Sequence, residues 1–491
     1  MIRDNMMKRV GEAIAARRGE IHMTQTELAR ALKTSQSAIA RIERGEQNLT
    51  AETLTKISGA LKKDLISLMS GSSSFMIDGG AALEGTVAVQ GAKNSVLKVL
   101  AATVLYENPV TINNVPRIED VFRMLELLEH AGARVDWINE HALRIDTSRV
   151  SNPNLHPEVA KRFRGSIVLV APLLARLGRV KFPHPGGCVI GARPIDLFLK
   201  GWEHMGARVR EEPFGYDISL RSLRGTEYMF RHMSVTGTEA LMLTAVLARG
   251  KTILMNAACE PEIPHLAEFL HRSGARIEGA GTHTITVTGT DRTLLRSSVP
   301  FFVLPDRIET ASFLLLGAAL GKRITITRCI PEHVRAMTEV LREAGVLVQT
   351  EETSIAVRKP KTLQSVSVRT HEYPGFVTDF QAPFAVLMTQ AIGQSIIFET
   401  IFDGRFHYIE DLNRMGANIT MHNPHRIAVV GPTALHGREI ESPDLRAGLG
   451  FVLAALIANG RSRVNDIYFI DRGYERIDSR LRDLGAFVER V

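Results

Sequence analysis

The chain is poor in cysteine, with three in 491 residues, and has only two tryptophans. Three thiols cannot frame a disulfide-stapled fold, so a reducing, cytoplasmic setting is expected. Long apolar runs are missing as well. Stretches such as 311–320 extend about ten residues, against the ~18–20 that a membrane helix needs, so no membrane partner is expected. The first thirty residues are polar and charged and lack the apolar segment of a secretory signal. No Cys pair or His-x-x-x-His spacing points to a metal, and no P-loop or dinucleotide fingerprint is present. Neither a metal nor a cofactor is expected.

What is present belongs to a folded globular chain. It is 45% hydrophobic and 23% charged, which excludes disorder as the main state. The length suggests about three folding units. The formal charge is +7 and unevenly spread. Residues 1–70 hold twelve Lys/Arg against eight Asp/Glu, a basic excess that hints at a polyanion partner.

Residues 1–70 predict a small all-helical unit. Val10, Ile14, Leu28 and Leu32 recur at helical spacing. Thr24 with Glu27 three residues later forms a capping-box signature. Ser35 caps the next helix, Ile39 and Ile42 point inward, and Gly45 ends it. The segment Gln25-Thr26-Glu27-Leu28-Ala29 followed by 35–45 resembles the helix-turn-helix of the phage-repressor class. The resemblance implies a DNA partner. Gln36 and Ser37 would meet base edges, and Lys33, Arg41 and Arg44 would meet phosphates. A helical bundle that binds another protein is the alternative. Residues 71–75, Ser- and Gly-rich, read as a linker.

The rest of the chain repeats. A helix-to-strand junction built on glycine recurs at Gly132, Gly206, Gly274, Gly345, Gly416 and Gly485, about 70 residues apart, the length of one supersecondary unit. Each glycine suits the left-handed position just past a helix. The fold class that follows is α/β, six units of mixed helix and strand in two lobes of three. A cleft between lobes is a common ligand site.

Several segments can carry chemistry. Gly91-Ala92-Lys93-Asn94-Ser95 delivers a lysine and an amide just before a helix expected over 96–106, where an anion is favoured. In 185–194 three glycines surround Cys188, and Arg193 would favour its thiolate. Cys259 and Cys329 read as structural. Arg164, Arg405, Arg446 and Arg472 recur in turn contexts; converging, they would bind phosphate or carboxylate, and singly they are surface ion pairs. Asp379, before an apolar helix expected over 380–392, is either an N-cap or a carboxylate able to accept a hydroxyl proton.

In this order, Gly91–Asn94, 185–194 with Asp196-Leu197, 304–310, Asp444-Leu445-Arg446-Ala447 and 471–477 resemble the enolpyruvyl transferases of the UDP-N-acetylglucosamine 1-carboxyvinyltransferase type. The resemblance spans about 75–491. It implies a two-lobed inside-out α/β barrel of βαβαββ units, one lobe from 76–92 and 305–491, the other from 93–304. It implies transfer of enolpyruvyl from phosphoenolpyruvate to a sugar 3′-hydroxyl, releasing phosphate, as in the first committed step of peptidoglycan synthesis. Lys93, Arg193 and Arg472 would hold phosphoenolpyruvate, with Arg164 and Arg446 nearby. Asp379 would take the hydroxyl proton, and Cys188 would deliver a proton to the methylene carbon or assist product release. Asn94 and Arg405 would touch the sugar or the intermediate. Pro194, Ile195, Asp196 and Leu197, with Ser234, Val235 and Gly237, would hold uridine and diphosphate, and Asp444 joins Arg446 among the substrate-binding positions. A homodimer is compatible with the helix-turn-helix.

Departures from the family pattern fall beside these groups. Val377 replaces a proline, Pro383 a glutamine and Phe198 a histidine, and Asp403-Gly404 and His407-Tyr408 flank Arg405-Phe406 with unusual pairs. Two further readings stay open: a regulator that uses the transferase fold as a sugar-nucleotide sensor, and a transferase acting on another nucleotide.

Overall fold

The computed structural model describes residues 11, 14–15, 17–19, 21, 23–32, 34–44, 56–57, 59–61, 74–162, 164–186 and 195–491. It divides into two compact units, the first consisting mainly of residues 1–75 and the second of 76–464 with 469–489.

In the first unit the helices Gln25–Ala31 and Gln36–Glu43 form as the caps dictate. The Glu27 amide donates to Thr24 Oγ1 at 3.2 Å while the Glu27 carboxylate accepts from the Thr24 amide at 2.7 Å. Both donors would otherwise be orphaned at a helix start. Ser35 Oγ accepts from the Ala38 amide. Leu28, Ala29, Ile39 and Ile42 bury against Ile14, Ile57 and Leu61. Glu43 is also buried and accepts from Arg18 Nε at 2.6 Å and Gln25 Nε2 at 2.7 Å. That network locks the end of the second helix to the start of the first. Lys33 and Gly45 lie outside the described residues. Ser74 and Phe75, expected in the linker, belong to the folded part: Ser74 pairs with Val491 through two backbone hydrogen bonds, and Phe75 opens the strand Phe75–Asp78.

The second unit is organised by its repeats. All six repeat glycines are left-handed, with φ from +87° to +109°, as the sequence predicts. At Gly132 a side chain would in addition meet the Arg149 carbonyl oxygen, 2.8 Å from the position of its Cβ. The described strands form six sheets. Three take their strands from 110–302: Phe301–Phe302 with Val110–Asn113, Ala142–Asp146 and Arg134–Asn139; Arg179–Pro183 with Gly215–Leu220 and Ala207–Glu212; and Arg276–Glu278 with Thr284–Thr288, Lys251–Met255 and Glu227–Met229. Of the other three, two combine a strand from 75–88 with strands from 321–490, as where Leu83–Ala88 runs parallel to Gly321–Thr327, and the third takes all four of its strands from 368–431.

The helices Lys93–Ala102, Ile167–Leu177 and Val235–Val246 pack on one another, and so do Arg307–Leu320, Gln381–Met388 and Leu445–Ile457. Nearly every residue of these six is buried. A helix apolar on all sides must sit inside, so the helices form the interior and the sheets the outside. Two expected boundaries shift. Lys93 is the first residue of its helix rather than a loop residue before it, because Asp306 accepts from its backbone amide at 3.1 Å. The helix after Asp379 ends at Met388, and Thr378–Phe380 is a short 3-10 turn.

The chain returns from 302 to 307 past His265. His265 Nε2 accepts from the Leu304 amide at 3.2 Å, and its ring lies 4.7 Å from that of Phe301. Acceptance requires the neutral imidazole. Burial lowers the His265 pKa from 6.5 to about 4. Between those two values the unfolded chain binds the proton and the native state resists it, so stability falls as pH drops through this window and is not lost further below it. Urea titrations at pH 7 and pH 4 should show wild type losing up to about 3 kcal/mol more than His265→Gln. Equal losses would mean that His265 does not titrate as a buried acceptor.

Candidate active site

Each of the six interior helices begins at a residue that can do chemistry. Lys93 and Asn94 open the first. Arg164, half-buried in the 3-10 turn Arg164–Ser166, precedes the second. Ser234 caps the third, its Oγ accepting from the Gly237 amide at 3.1 Å. Asp306 caps the fourth through the amides of Ile308 and Glu309. Asp379 precedes the fifth, and Asp444 caps the sixth through the amides of Arg446 and Ala447. Helix N-termini favour negative charge, and four of these starts adjoin: Asp306 touches Lys93, Arg446 touches Asp379, and Asp306 is under the field of Arg446.

Two ion clusters fill the place where they meet. In the first, Lys93 Nζ lies 2.6 Å from Asp120 Oδ2, and Arg472 grips the same carboxylate through Nε at 2.8 Å and Nη2 at 3.3 Å. Burial lowers the Lys93 pKa, Asp120 opposes that, and the positive fields of Arg472 and Arg446 add to it. Burial alone would raise the Asp120 pKa, but the two cations outweigh it and hold it low. In the second, Asp379 accepts from Arg405 Nη2 at 2.8 Å and from Arg446 Nε at 2.9 Å. Burial again works to raise its pKa, and Arg446 and Arg405 overcome this, leaving it far below the usual carboxylate range. Asp379 is therefore no helix cap: Val377 occupies the N-cap position, without a side-chain bond, and the carboxylate is committed to two arginines.

Around these clusters lies a buried frame. Arg307 pairs with Glu262 at 3.0 and 3.3 Å. Tyr474 Oη accepts from Arg446 and shares a hydrogen bond with Ser312. Glu309 accepts from the Gln90 amide and from Arg480. Asp120, Glu262, Tyr474 and Arg480 are missing from the sequence reading. Asp120 stands in the first turn of an amphipathic helix, where an acid usually serves the helix dipole, so the sequence carries no signal that it faces Lys93 and Arg472.

The other expected residues are distributed as follows. Ile195 is buried at the N-cap of the helix Asp196–His204, Asp196 lies in its first turn, and the Leu197 carbonyl accepts from Tyr228 Oη at 2.6 Å. Val235 and Gly237 lie in the first turn of their helix, and the Asp444 carboxylate is used in capping. Cys188, Arg193 and Pro194 lie outside the described residues. Cys329 is buried, with its thiol pushed up to about 11 by burial. Cys259 is half-buried, with Sγ 3.4 Å from His283 Nδ1. Gln36, Ser37, Arg41 and Arg44 are exposed on the second helix of the N-terminal pair and at its end. Among the described residues, Glu140, His141 and Glu475 bring three potential ligand atoms within 4.8 Å, but Arg476 binds Glu140 and the Arg117 amide binds Glu475.

The geometry is that of a site for a small polyanion beside a carboxylate. The family model for EPSP synthase (3-phosphoshikimate 1-carboxyvinyltransferase) matches residues 77–481, and a helix-turn-helix model matches 14–68. A UDP-N-acetylglucosamine 1-carboxyvinyltransferase of Solibacter usitatus is 45% identical over 85% of this chain and 99% of its own length. That of Campylobacter hominis is 41% identical over 84% and 98%. Among solved structures, the enolpyruvyl transferase NikO of Streptomyces tendae superposes with a TM-score of 0.76 at 23% identity, over 85% of this chain and 99% of that one. EPSP synthase of Acinetobacter baumannii gives 0.66 at 17%, over 85% and 100%. These two share the inside-out α/β fold, and no described helix is long and apolar enough to cross a membrane. By the family model and by identities above 40% over nearly the whole length of its relatives, the chain belongs to the UDP-N-acetylglucosamine 1-carboxyvinyltransferase family of enolpyruvyl transferases.

Proposed function

We propose that the chain transfers the enolpyruvyl group of phosphoenolpyruvate to the 3′-hydroxyl of UDP-N-acetylglucosamine and releases phosphate. The observation that carries this reading is the pair of adjoining clusters, Lys93–Asp120–Arg472 and Arg405–Asp379–Arg446. Four cations provide for a trianion, and one carboxylate stands beside them as a base. The lobes run over 76–92 with 305–491 and over 93–304, a division supported by the way the sheets draw their strands.

The chemistry follows from the charges. The sugar oxygen bonds to C2 of phosphoenolpyruvate as its proton passes to Asp379, and C3 gains a proton, a role the family resemblance gives to Cys188. The tetrahedral adduct then loses a proton from C3 and breaks its C2–O bond to phosphate. Asp379 held by two arginines is a weak base. Phosphoenolpyruvate bound to Arg446 and its neighbours would take up their positive field and raise the basicity of Asp379. The same anion would replace Asp120 as the partner of Lys93 and Arg472. Ser234, Val235 and Gly237, with Pro194, Ile195, Asp196 and Leu197, would take the uridine diphosphate, and Asn94 the sugar. The free thiols favour the cytoplasm. Gln36, Ser37, Arg41 and Arg44 would place a DNA duplex on the first unit, the chain acting there as a homodimer.

A phosphate-release assay with phosphoenolpyruvate and a panel of nucleotides should respond to UDP-N-acetylglucosamine. Release with a different nucleotide alone would move the acceptor, and no release with any would leave a sensor. Asp379→Asn should lower kcat by about 10²–10⁴ and change the KM for the nucleotide only a few-fold. A parallel loss of nucleotide binding would make Asp379 structural.

Asp120→Asn removes the buried carboxylate that Lys93 and Arg472 share, at a cost of about 3–5 kcal/mol. Its Tm should fall in phosphate-free buffer, and inorganic phosphate should restore it by more than it raises that of wild type. A variant whose Tm ignores phosphate would show that Asp120 does not occupy an anion's place.

The first unit should bind duplex DNA with an affinity that falls as salt rises. Arg41→Ala or Arg44→Ala should reduce the salt slope by about one, and Gln36→Ala should relax sequence preference. Salt-insensitive or absent binding in fluorescence anisotropy would mark the unit as a protein-interaction module.

A further inference from the structure

One buried pair remains outside this scheme. Lys98 lies one turn beyond Asn94 on the helix Lys93–Ala102, and Glu239 lies two residues beyond Gly237 on the helix Val235–Val246. Lys98 Nζ is 3.2 Å from Glu239 Oε2 and donates to the Asn94 carbonyl at 2.6 Å. Glu239 is fully buried, and neither of its oxygens has a hydrogen-bond partner among the described residues. The lysine thus satisfies the turn that carries Asn94 and faces the carboxyl that follows the capping turn of Ser234. Beside Glu239, the Thr238 hydroxyl accepts from the Ala258 amide at 3.0 Å, tying that turn to the loop leading to Glu260 and Glu262. Removing either member of such a buried pair leaves the other without its nearest opposite partner.

We propose that Lys98 and Glu239 are a positioning pair that holds the helix start bearing Lys93 and Asn94 in register with the helix start bearing Ser234 and Gly237, so that the phosphoenolpyruvate and nucleotide halves of the site are set by one contact. This rests on the assignment of those two helix starts to the two substrates. The charged groups facing Glu239 are Lys98, Glu262 and Glu260. Glu262 is paired with Arg307, whose field also reaches Glu260, while that of Lys98 also reaches Glu262. Burial first, then the neighbouring carboxylates, move the Glu239 pKa from 4.5 up to about 8 against the pull of Lys98. The charged form of Glu239 is thus disfavoured by its surroundings, and its attraction to Lys98 strengthens as pH rises.

Lys98→Met and Glu239→Gln test the pair by steady-state kinetics from pH 6 to 9 with both substrates. Lys98→Met should raise both KM values together by about tenfold with kcat within a few-fold. For Glu239→Gln, the ratio of variant to wild-type KM for UDP-N-acetylglucosamine should rise with pH across this range, because only wild type can gain the charge. A ratio flat across that range, or a change in one KM alone, overturns the proposal. Amide hydrogen exchange on the ligand-free full chain supplies an arm independent of the substrates. Exchange should quicken in both helices of each variant, and quickening confined to one helix also overturns it. Absence of phosphate release by wild type would count against the substrate assignment, while the exchange arm would still decide for or against the pair.

Discussion

Gathering four cations in one place, three of them buried and Arg472 partly exposed, is the constraint on which the rest of the transferase unit depends. Lys93, Arg405, Arg446 and Arg472 repel one another in a setting where water screens them only weakly. Two carboxylates make the arrangement possible, Asp120 between Lys93 and Arg472 and Asp379 between Arg405 and Arg446. The cations are thus held in place by internal anions. Electrostatic stabilisation of this kind needs no reorganisation at the moment of reaction, provided that the substrate can take over from the internal partner.

The inside-out architecture explains why those cations can be held there. Interior helices that are apolar on every side leave only their ends for polar work. The same repeat that buries the helix bodies places one polar residue at each start: Lys93, Arg164, Ser234, Asp306, Asp379 and Asp444. Asp306 shows the economy of the design, since one carboxylate caps its own helix and also accepts from the Lys93 amide of another. The buried frame of Arg307 with Glu262 and of Arg446 with Tyr474 and Ser312 then fixes the guanidinium planes.

The first unit follows a different logic. Its core is small, seven buried apolar side chains among the described residues, and its two helices depend on capping and on the Arg18–Glu43–Gln25 network. The charge that would meet DNA stays outside, on Arg41 and Arg44, while the buried charge is internally paired.

The sequence by itself determined the local features. Thr24, Ser35 and the six glycines predicted helix ends because capping and left-handed φ depend on a residue and its near neighbours. The 70-residue period gave the number of units, and the motifs around Lys93, Arg446 and Arg472 gave the family. Only the tertiary structure decided what those residues touch. Asp120 reads as a dipole acid and proves to be the counter-ion of Lys93 and Arg472, residues 27 and 352 positions away. Asp379 reads as a cap or a base, and the structure removes the cap, because its carboxylate is taken up by Arg405 from later in the same repeat and by Arg446 from the next. Lys98 and Glu239 each look like a stray charge on an apolar helix until the helices pack. Charge pairing at a distance depends on which helix faces meet, and no spacing along one chain encodes that.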